Sequence, residues 1–518
     1  MLVLCIFLSW CYISTGYRAD TNQRMVNGFA ALKTNGRAVF WGQRLVDPKS
    51  KSQNHKLSSP DLSDAEFEDV ISLASTAYTF ALLLRNGSVH TWGSVGATNA
   101  ADISLVAPRL QSGVVKIYST SSAFAALKKD GSVVTWGSGH HGGNSRMVSK
   151  SLMGEVRDVF SNSVGFSALK LDGSVVSWSG NKLLQRPSGV SEGVVAVYAT
   201  DYSFAALKKN GAVVCWGVAS KSRLYEAVER RLASGVAIVY STNKAFAALK
   251  TDGSVVTWGS ALEGGDSSDV ASKLASGVDA VYSTSTGFAA LRSDSSVVTW
   301  GSFGGDSSTV TARLAGGIRR VYANSNSFAA VTIDGGVVSW GVSPFGGDST
   351  RVANRLANGV TSVLGSRAAF AAMKSDGSVV TWGSANDGGD SSVVASQLAS
   401  GVVQLCATNF AFAALKSDGS VVAWGERRRG GVLGAASVKL NGGVRACFGS
   451  EMLDSVSAFE PSALDAISKA AHVLEDEKYA AGSGMNWVAL LVILCSVIVI
   501  YSQRGQLEEL IKPKANTL

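Results

Sequence analysis

The sequence predicts an all-β fold assembled from about ten copies of one small sheet. Three observations carry that prediction. Ten of the twelve tryptophans end one recurring phrase: Trp41, Trp92, Trp136, Trp178, Trp216, Trp258, Trp300, Trp340, Trp382 and Trp424. A phenylalanine stands twelve residues before each of them, from Phe29 to Phe412. The 518 residues include 56 glycines and only 7 prolines, a composition suited to many tight turns between short strands.

One unit, residues 236–274, shows why the phrase makes a sheet. Val236 to Ser241 (VAIVYS) is a β-branched and aromatic run, strand A. Phe246 to Lys250 is strand B, and Ser254 to Trp258 is strand C. Thr251, Asp252 and Gly253 form the turn between them, since Asp-Gly tolerates the backbone angles of a tight hairpin. Alternation along strand C gives both sheet faces apolar cover, and Ala247 and Ala248 leave room for a neighbouring sheet. The piece that follows, DVASKLASG, suits either a fourth, outer strand or a turn of helix. Its Lys273, matched by Arg313, Arg355 and Gln397, fits a solvated rim or a protected strand edge.

A three- or four-stranded unit of about 42 residues cannot bury its own faces, so units must stack. Propeller units of about 40–50 residues do this around an axis, which favours a β-propeller over residues 25–450. The ends of the array favour closure. Residues 18–24 are polar and offer the first unit no strand A, whereas a lone strand A follows the tenth unit at Gly443 to Ser450. Residues 444–449 are therefore expected to pair beside the 29–41 hairpin and latch the ring.

The phrase FAALKTDGSVVTWGS resembles the repeat of the regulator of chromosome condensation family, which includes the β-lactamase inhibitor protein II type. The match lies in the hydrophobic, Asp-Gly and Trp-Gly positions and extends over roughly residues 25 to 450. The resemblance implies a propeller and says little of function. It usually implies seven blades, whereas ten units are counted here, which leaves a ten-bladed ring, seven blades with a three-unit extension and an open spiral as the alternatives. The family's Gly-Gln-Leu-Gly loop is replaced by Gly-Gly-Asp-Ser-Ser at 264–268 and 304–308 and by variants at 346–350 and 388–392. Nucleotide exchange is not carried over, because the loops it depends on have no counterpart here.

The ends of the chain read differently. Leu2 to Ile13 is an apolar run of signal-peptide length, with Ser14-Thr15-Gly16 offering small residues for cleavage after residue 16. Residues 461–479 read as a helix within a stalk spanning 451–484, with Leu464, Ile467, Ala471 and Leu474 on one face. Residues 485–502 read as a transmembrane helix. Trp487 to Tyr501 carries no charge and has an aromatic residue at each end. Seventeen residues from Met485 reach roughly 25 Å, against a bilayer core of about 30 Å. Arg504, Lys512 and Lys514 in the short tail 503–518 place that tail in the cytoplasm. The propeller is then lumenal or extracellular if the leader is cleaved. The sequon Asn86-Gly87-Ser88, on a hairpin tip, is the glycosylation candidate that reports the side.

Chemistry is sparse. The net charge of +8 is modest for this length, and the longest basic run is Arg427, Arg428, Arg429, so a nucleic-acid partner is not indicated. His140 and His141 share one loop without further ligands, which points away from a metal site. Asp266, Asp306, Asp348 and Asp390 each stand as the lone carboxylate of a Gly-Gly-Asp-Ser phrase, which suits turn formation better than calcium. Cys5 and Cys11 fall in the N-terminal run and Cys495 in the C-terminal one. The remaining Cys215, Cys406 and Cys447 are far apart in sequence and are expected to be free buried thiols.

No catalytic residue, cofactor or small-molecule substrate is indicated. The loops after each tryptophan differ most between units, and variable loops on a regular scaffold are where binding is built. The expectation is a non-enzymatic scaffold that binds a protein partner at a membrane, with Arg427, Arg428 and Arg429 as candidate contacts. The alternative is an intracellular regulator of a small GTPase or of chromatin.

Overall fold

In the computed structural model of the chain, the described residues are 28–33, 37–42, 66–68, 70–76, 79–93, 102–180, 184, 189–434 and 436–449. The expected leader, stalk, membrane span and tail lie outside them. Among the described residues no helix is long and apolar enough to cross a membrane.

The described residues form ten antiparallel sheets, nine of three strands and one of four. In unit 6, the strands are Val236–Ser241, Ala245–Lys250 and Val255–Gly259, each within one residue of the span the sequence predicts. Strand B lies in the middle, with Phe246 opposite Trp258 on one side and opposite Ser241 on the other. Both faces of strand B are covered, so Phe246, Ala247 and Ala248 are all fully buried.

Alternation divides the contacts between two neighbours. Phe246, Ala248, Val256 and Trp258 pack against Ala205, Leu207 and Val213 of the preceding unit. Ala245, Ala247, Leu249 and Val255 pack against Val278, Val281, Phe288 and Trp300 of the following one. The core is thus a series of sheet-to-sheet interfaces. Each strand A touches strand A of the next unit from Val70–Ser75 to Val444–Gly449, so strand A is the inner edge and strand C the outer edge of the three-stranded sheets.

Tryptophan rivets each interface. Its ring stacks on the phenylalanine of its own hairpin, as in Phe328–Trp340 at 5.3 Å between centroids. In Trp178, Trp300, Trp340, Trp382 and Trp424 the indole N–H reaches back one unit to a loop glycine carbonyl, whereas Trp258 meets Cys215 Sγ at 3.4 Å. Trp300 donates to Gly264 at 3.0 Å, Trp340 to Gly304 at 3.1 Å and Trp382 to Gly346 at 3.0 Å. Gly264 needs to be glycine twice over: its φ is +92°, and a Cβ there would stand 2.6 Å from the Phe288 ring.

Backbone hydrogen bonds join the sheets at both ends. At the hairpin end, the first N–H of strand A bonds to the hairpin glycine carbonyl of the unit before, as in Val278 to Gly253 at 3.0 Å. At the opposite end, the A–B turns form a belt: Asp201 N–H to Asn243 O, Asn243 to Ser285, Ser285 to Ser325, Ser325 to Arg367 and Arg367 to Asn409, at 2.8–3.3 Å. Between the belts, half-buried tyrosines on strand A hydrogen-bond the next strand. Tyr198 meets the backbone of Val239, and burial pushes its hydroxyl up to about 12. Tyr240 meets Val281 in the same way and is also pushed up by burial.

The two ends of the array share one sheet. Val444–Gly449 pairs antiparallel with Gly28–Lys33, placing Ala31 opposite Cys447, so the first sheet takes its strand A from the far end of the array. The expected pairing of residues 444–449 is therefore present.

The expectation for the thiols is corrected. Cys215 is free and buried, but Cys406 and Cys447 form a disulfide. Cys406 is the fifth residue of its strand A, where Tyr240 stands in unit 6, and Cys447 is the fourth of the next, where Val281 stands in unit 7. A fifth residue faces forward and a fourth faces back, so 41 residues of separation become direct contact. The Gln404 side chain adds two bonds to the Cys447 backbone, at 3.2 and 3.4 Å.

One feature goes beyond the sequence reading. Glu66–Glu68 adds a fourth strand outside Arg37–Gly42 in the first sheet, with Ala38 opposite Phe67. The piece read as an outer strand or a turn of helix is the latter in unit 6, a 3-10 turn at Ser268–Val270. The basic residues of that piece do guard an edge. Arg313 and Arg355 donate to the Val337 and Val379 carbonyls on strand C of the next unit, at 3.0 and 3.1 Å.

Ser295 occupies the hairpin position where unit 6 has Gly253, and it holds a φ of +62°. A side chain in that region costs roughly 1–2 kcal/mol, part of which glycine's freedom in the unfolded chain would offset. Ser295→Gly is therefore expected to stabilise the chain by about 1 kcal/mol, read as a higher urea midpoint at unchanged slope.

Candidate protein-binding face

One end of the sheets carries both the A–B turns and the loops that follow tryptophan. Side chains of the turns hold those loops in place. Thr242 donates to the Glu263 carbonyl at 2.9 Å, Asn324 to Phe345 at 2.6 Å and Ser366 to Asp387 at 2.7 Å. Each loop is thereby fixed to a turn that already belongs to the belt.

Arg427, Arg428 and Arg429 form a 3-10 turn in the loop of unit 10. The Glu426 carboxylate accepts the Arg428 N–H at 3.3 Å and caps the turn, and Gly430 ends it with a φ of +100°. Arg427 and Arg428 are exposed. Arg429 lies 3.9 Å from the centre of the Phe410 ring, and Arg367 lies 4.5 Å from the same ring. Arg367 is itself held by buried Asp387, with Nη2 and Nε at 3.0 and 3.1 Å from Oδ1. Ser384 donates to the other oxygen of that carboxylate at 2.5 Å. The result is a basic patch from two adjacent loops around one aromatic ring.

Sequence reasoning picked out the three consecutive arginines and missed Arg367, Asp387 and Phe410. A signal for Phe410 exists. It occupies the last turn position before strand B, where other units have Lys244, Thr286, Asn326 and Ala368.

The other candidates are structural in this geometry. His140 and His141 lie in a 3-10 turn, with His141 Nδ1 at 3.1 Å from the Ser138 hydroxyl. Burial, helped by the neighbouring His140, lowers the His141 pKa and favours the neutral ring. Asp266, Asp306, Asp348 and Asp390 each accept the backbone N–H two residues on, at 2.9–3.0 Å, which is the turn-forming role expected of them. That amide holds the carboxyls of Asp306, Asp348 and Asp390 below the usual range. Among the described residues, no group of three His, Cys, Asp or Glu side chains converges as a metal site. Asn86 is exposed at its hairpin tip, on the end opposite the basic patch, and its Oδ1 accepts the Ser88 N–H at 2.9 Å.

This architecture is that of a repeat protein of the propeller type, with a basic, aromatic-centred patch on the face that carries its loops. No family model and no curated protein matches the chain. Solved structures similar to it include the CRINKLY WD40 ectodomain of the Arabidopsis thaliana receptor kinase ACR4, at 16% identity and a TM-score of 0.28, covering 60% of this chain and 95% of that one. Prp20p from Saccharomyces cerevisiae is similar at 15% identity and a TM-score of 0.32, over 65% and 84% of the two chains. Human WBSCR16 is similar at 13% identity and a TM-score of 0.30, over 80% and 92%.

Proposed function

We propose that the chain is a non-enzymatic, single-pass membrane protein that presents a closed ten-bladed propeller to an acidic partner protein. The observation that carries the binding reading is the Arg367–Phe410–Arg429 cluster beside exposed Arg427 and Arg428. Guanidinium groups already ordered on a ring and a carboxylate lose little freedom when a partner arrives. The residues that order them, Asp387 and Glu426, are turned inward to their own loops, which leaves the outer surface basic.

The closed ring is supported by the shared first sheet and by the unbroken run of strand A contacts. The Cys406–Cys447 disulfide favours an oxidising compartment, because cytosolic thiols are kept reduced. That fits a leader at 1–16, a propeller at 25–450, a stalk at 451–484, a transmembrane helix at 485–502 and a cytoplasmic tail at 503–518.

Two measurements test the reading. Epitope tags at the two termini, read in intact and permeabilised cells together with glycan mobility at Asn86, report topology. An outer N-terminal tag, an inner C-terminal tag and a glycan are expected; a cytosolic propeller without glycan would leave the intracellular-regulator reading in its place. Surface proximity labelling is then compared between the wild type and the Arg427→Glu, Arg428→Glu double variant. Loss of specific neighbours by at least about tenfold, about 1.4 kcal/mol, is expected, with strong salt dependence. An unchanged set of neighbours would overturn the assignment of the patch.

A further inference from the structure

Unit 7 has a shorter loop than its neighbours. Between the tryptophan and the Gly-Gly pair, units 6, 8, 9 and 10 each carry five residues, whereas unit 7 carries three. Gly304 must still reach its usual place. Its carbonyl receives the Trp340 indole N–H at 3.1 Å, and a Cβ on it would stand 2.8 Å from Thr284 and 2.9 Å from Phe328. Phe303 therefore does alone what Ala261–Glu263 do in unit 6, and its φ is +27°. Glycine occupies that region freely, whereas a bulky side chain is strongly disfavoured there.

Burial does not account for the phenylalanine. Phe303 is 61% exposed, and Leu262 on the adjoining loop is 78% exposed. The Ser302 N–H donates to the Leu262 carbonyl at 3.1 Å, which ties the two crests together. Among the described residues, Glu155, Ser295 and Phe303 are the non-glycine residues at positive φ, and Phe303 alone of them is apolar. Backbone strain that packing does not offset is kept where the displayed group has a task.

We propose that Phe303, with Leu262 beside it, is the apolar anchor of the loop face, and that the acidic partner protein covers it with an apolar pocket. This rests on the reading of the arginine patch and extends that reading from charge to shape. Unit 7 lies three sheets from unit 10, about 30 Å at roughly 10 Å a sheet. A standard interface of about 800 Å² per partner is about that wide, so one protein reaches both. The crests between them are exposed and uncharged: Ser343 and Pro344 in unit 8, Ala385 and Asn386 in unit 9. Beside Leu262, the Glu263 carboxylate is paired with Lys244 at 2.9 Å. An aromatic ring held out on a fixed loop is the kind of group that fills a partner's pocket and carries a large share of the binding energy.

The test uses the full chain and surface proximity labelling with biotin-phenol. The reference set is the neighbours that the wild type labels and the Arg427→Glu, Arg428→Glu variant loses. Phe303→Gly is expected to hold or raise the urea midpoint, because glycine relieves the backbone, and to lose the same neighbours at least about tenfold. Phe303→Tyr keeps the ring and should keep them. A midpoint held or raised together with lost neighbours is a combination that a packing role does not produce. A lowered midpoint for Phe303→Gly would assign the ring to packing and overturn the proposal. Neighbours lost by the arginine variant but kept by Phe303→Gly would overturn the anchor and leave the patch reading standing. Neighbours kept by the arginine variant would sink the patch reading itself, and the shared partner with it.

Discussion

Replacing Cys406 and Cys447 together by alanine is expected to lower stability by about 4 kcal/mol. A disulfide acts mainly on the unfolded chain, and closing a loop across a sequence separation of 41 restricts it by that order. The site concentrates the effect. Cys447 lies in the strand that belongs to the first sheet by pairing and to the tenth unit by packing. Without the bond, the closing strand keeps its ladder, the Gln404 amide, the Val444 N–H bond to Gly419 O and its packing on the tenth unit. The loss is expected first as limited proteolysis near residues 444–449, with the middle units still folded, and then as a lower urea midpoint. Reduction of the wild type should give the same profile. Equal midpoints for the oxidised and reduced chains would remove the latch from the account.

Trp340→Ala is expected to cost about 3–5 kcal/mol, the range for truncating a buried aromatic. Trp340 is 1% exposed, stacks on Phe328 and packs with Ala280, Tyr282, Leu314 and Val321 across the interface between units 7 and 8. Its removal opens a cavity and also leaves the buried Gly304 carbonyl without its indole donor. Trp340→Phe keeps most of the ring volume and should cost roughly half as much, since only the donor and part of the packing are lost. Urea titration separates the two variants. A cost under about 1 kcal/mol for the alanine variant would mean the units are not joined through these rivets.

Much of this architecture was legible because the repeat is an average over ten copies. Phe246, Trp258 and the alternation of Val255, Val256 and Thr257 state the strand, its middle or outer place and its two covered faces. The out-of-phase ends state that the last strand pairs beside the first hairpin. The features that escaped occur once. The Cys406–Cys447 bond is invisible as a spacing motif and becomes readable only when both residues are numbered within strand A. The strand Glu66–Glu68 pairs with a partner some thirty residues away, and three residues carry no period. The basic patch was half visible: Arg427 to Arg429 adjoin in sequence, whereas Arg367, Asp387 and Phe410 reach them only because neighbouring turns meet at the belt.

That belt has a consequence for how such a face changes over time. From Asp201 through Asn243, Ser285, Ser325 and Arg367 to Asn409, the bonds run from main chain to main chain. The six side chains differ in size and charge, yet the spacing between turns is kept. Mutations can therefore rewrite the chemistry displayed to a visitor while the hoop beneath stays tight. Specificity and integrity are carried by different atoms of the same residues, so one can drift without eroding the other.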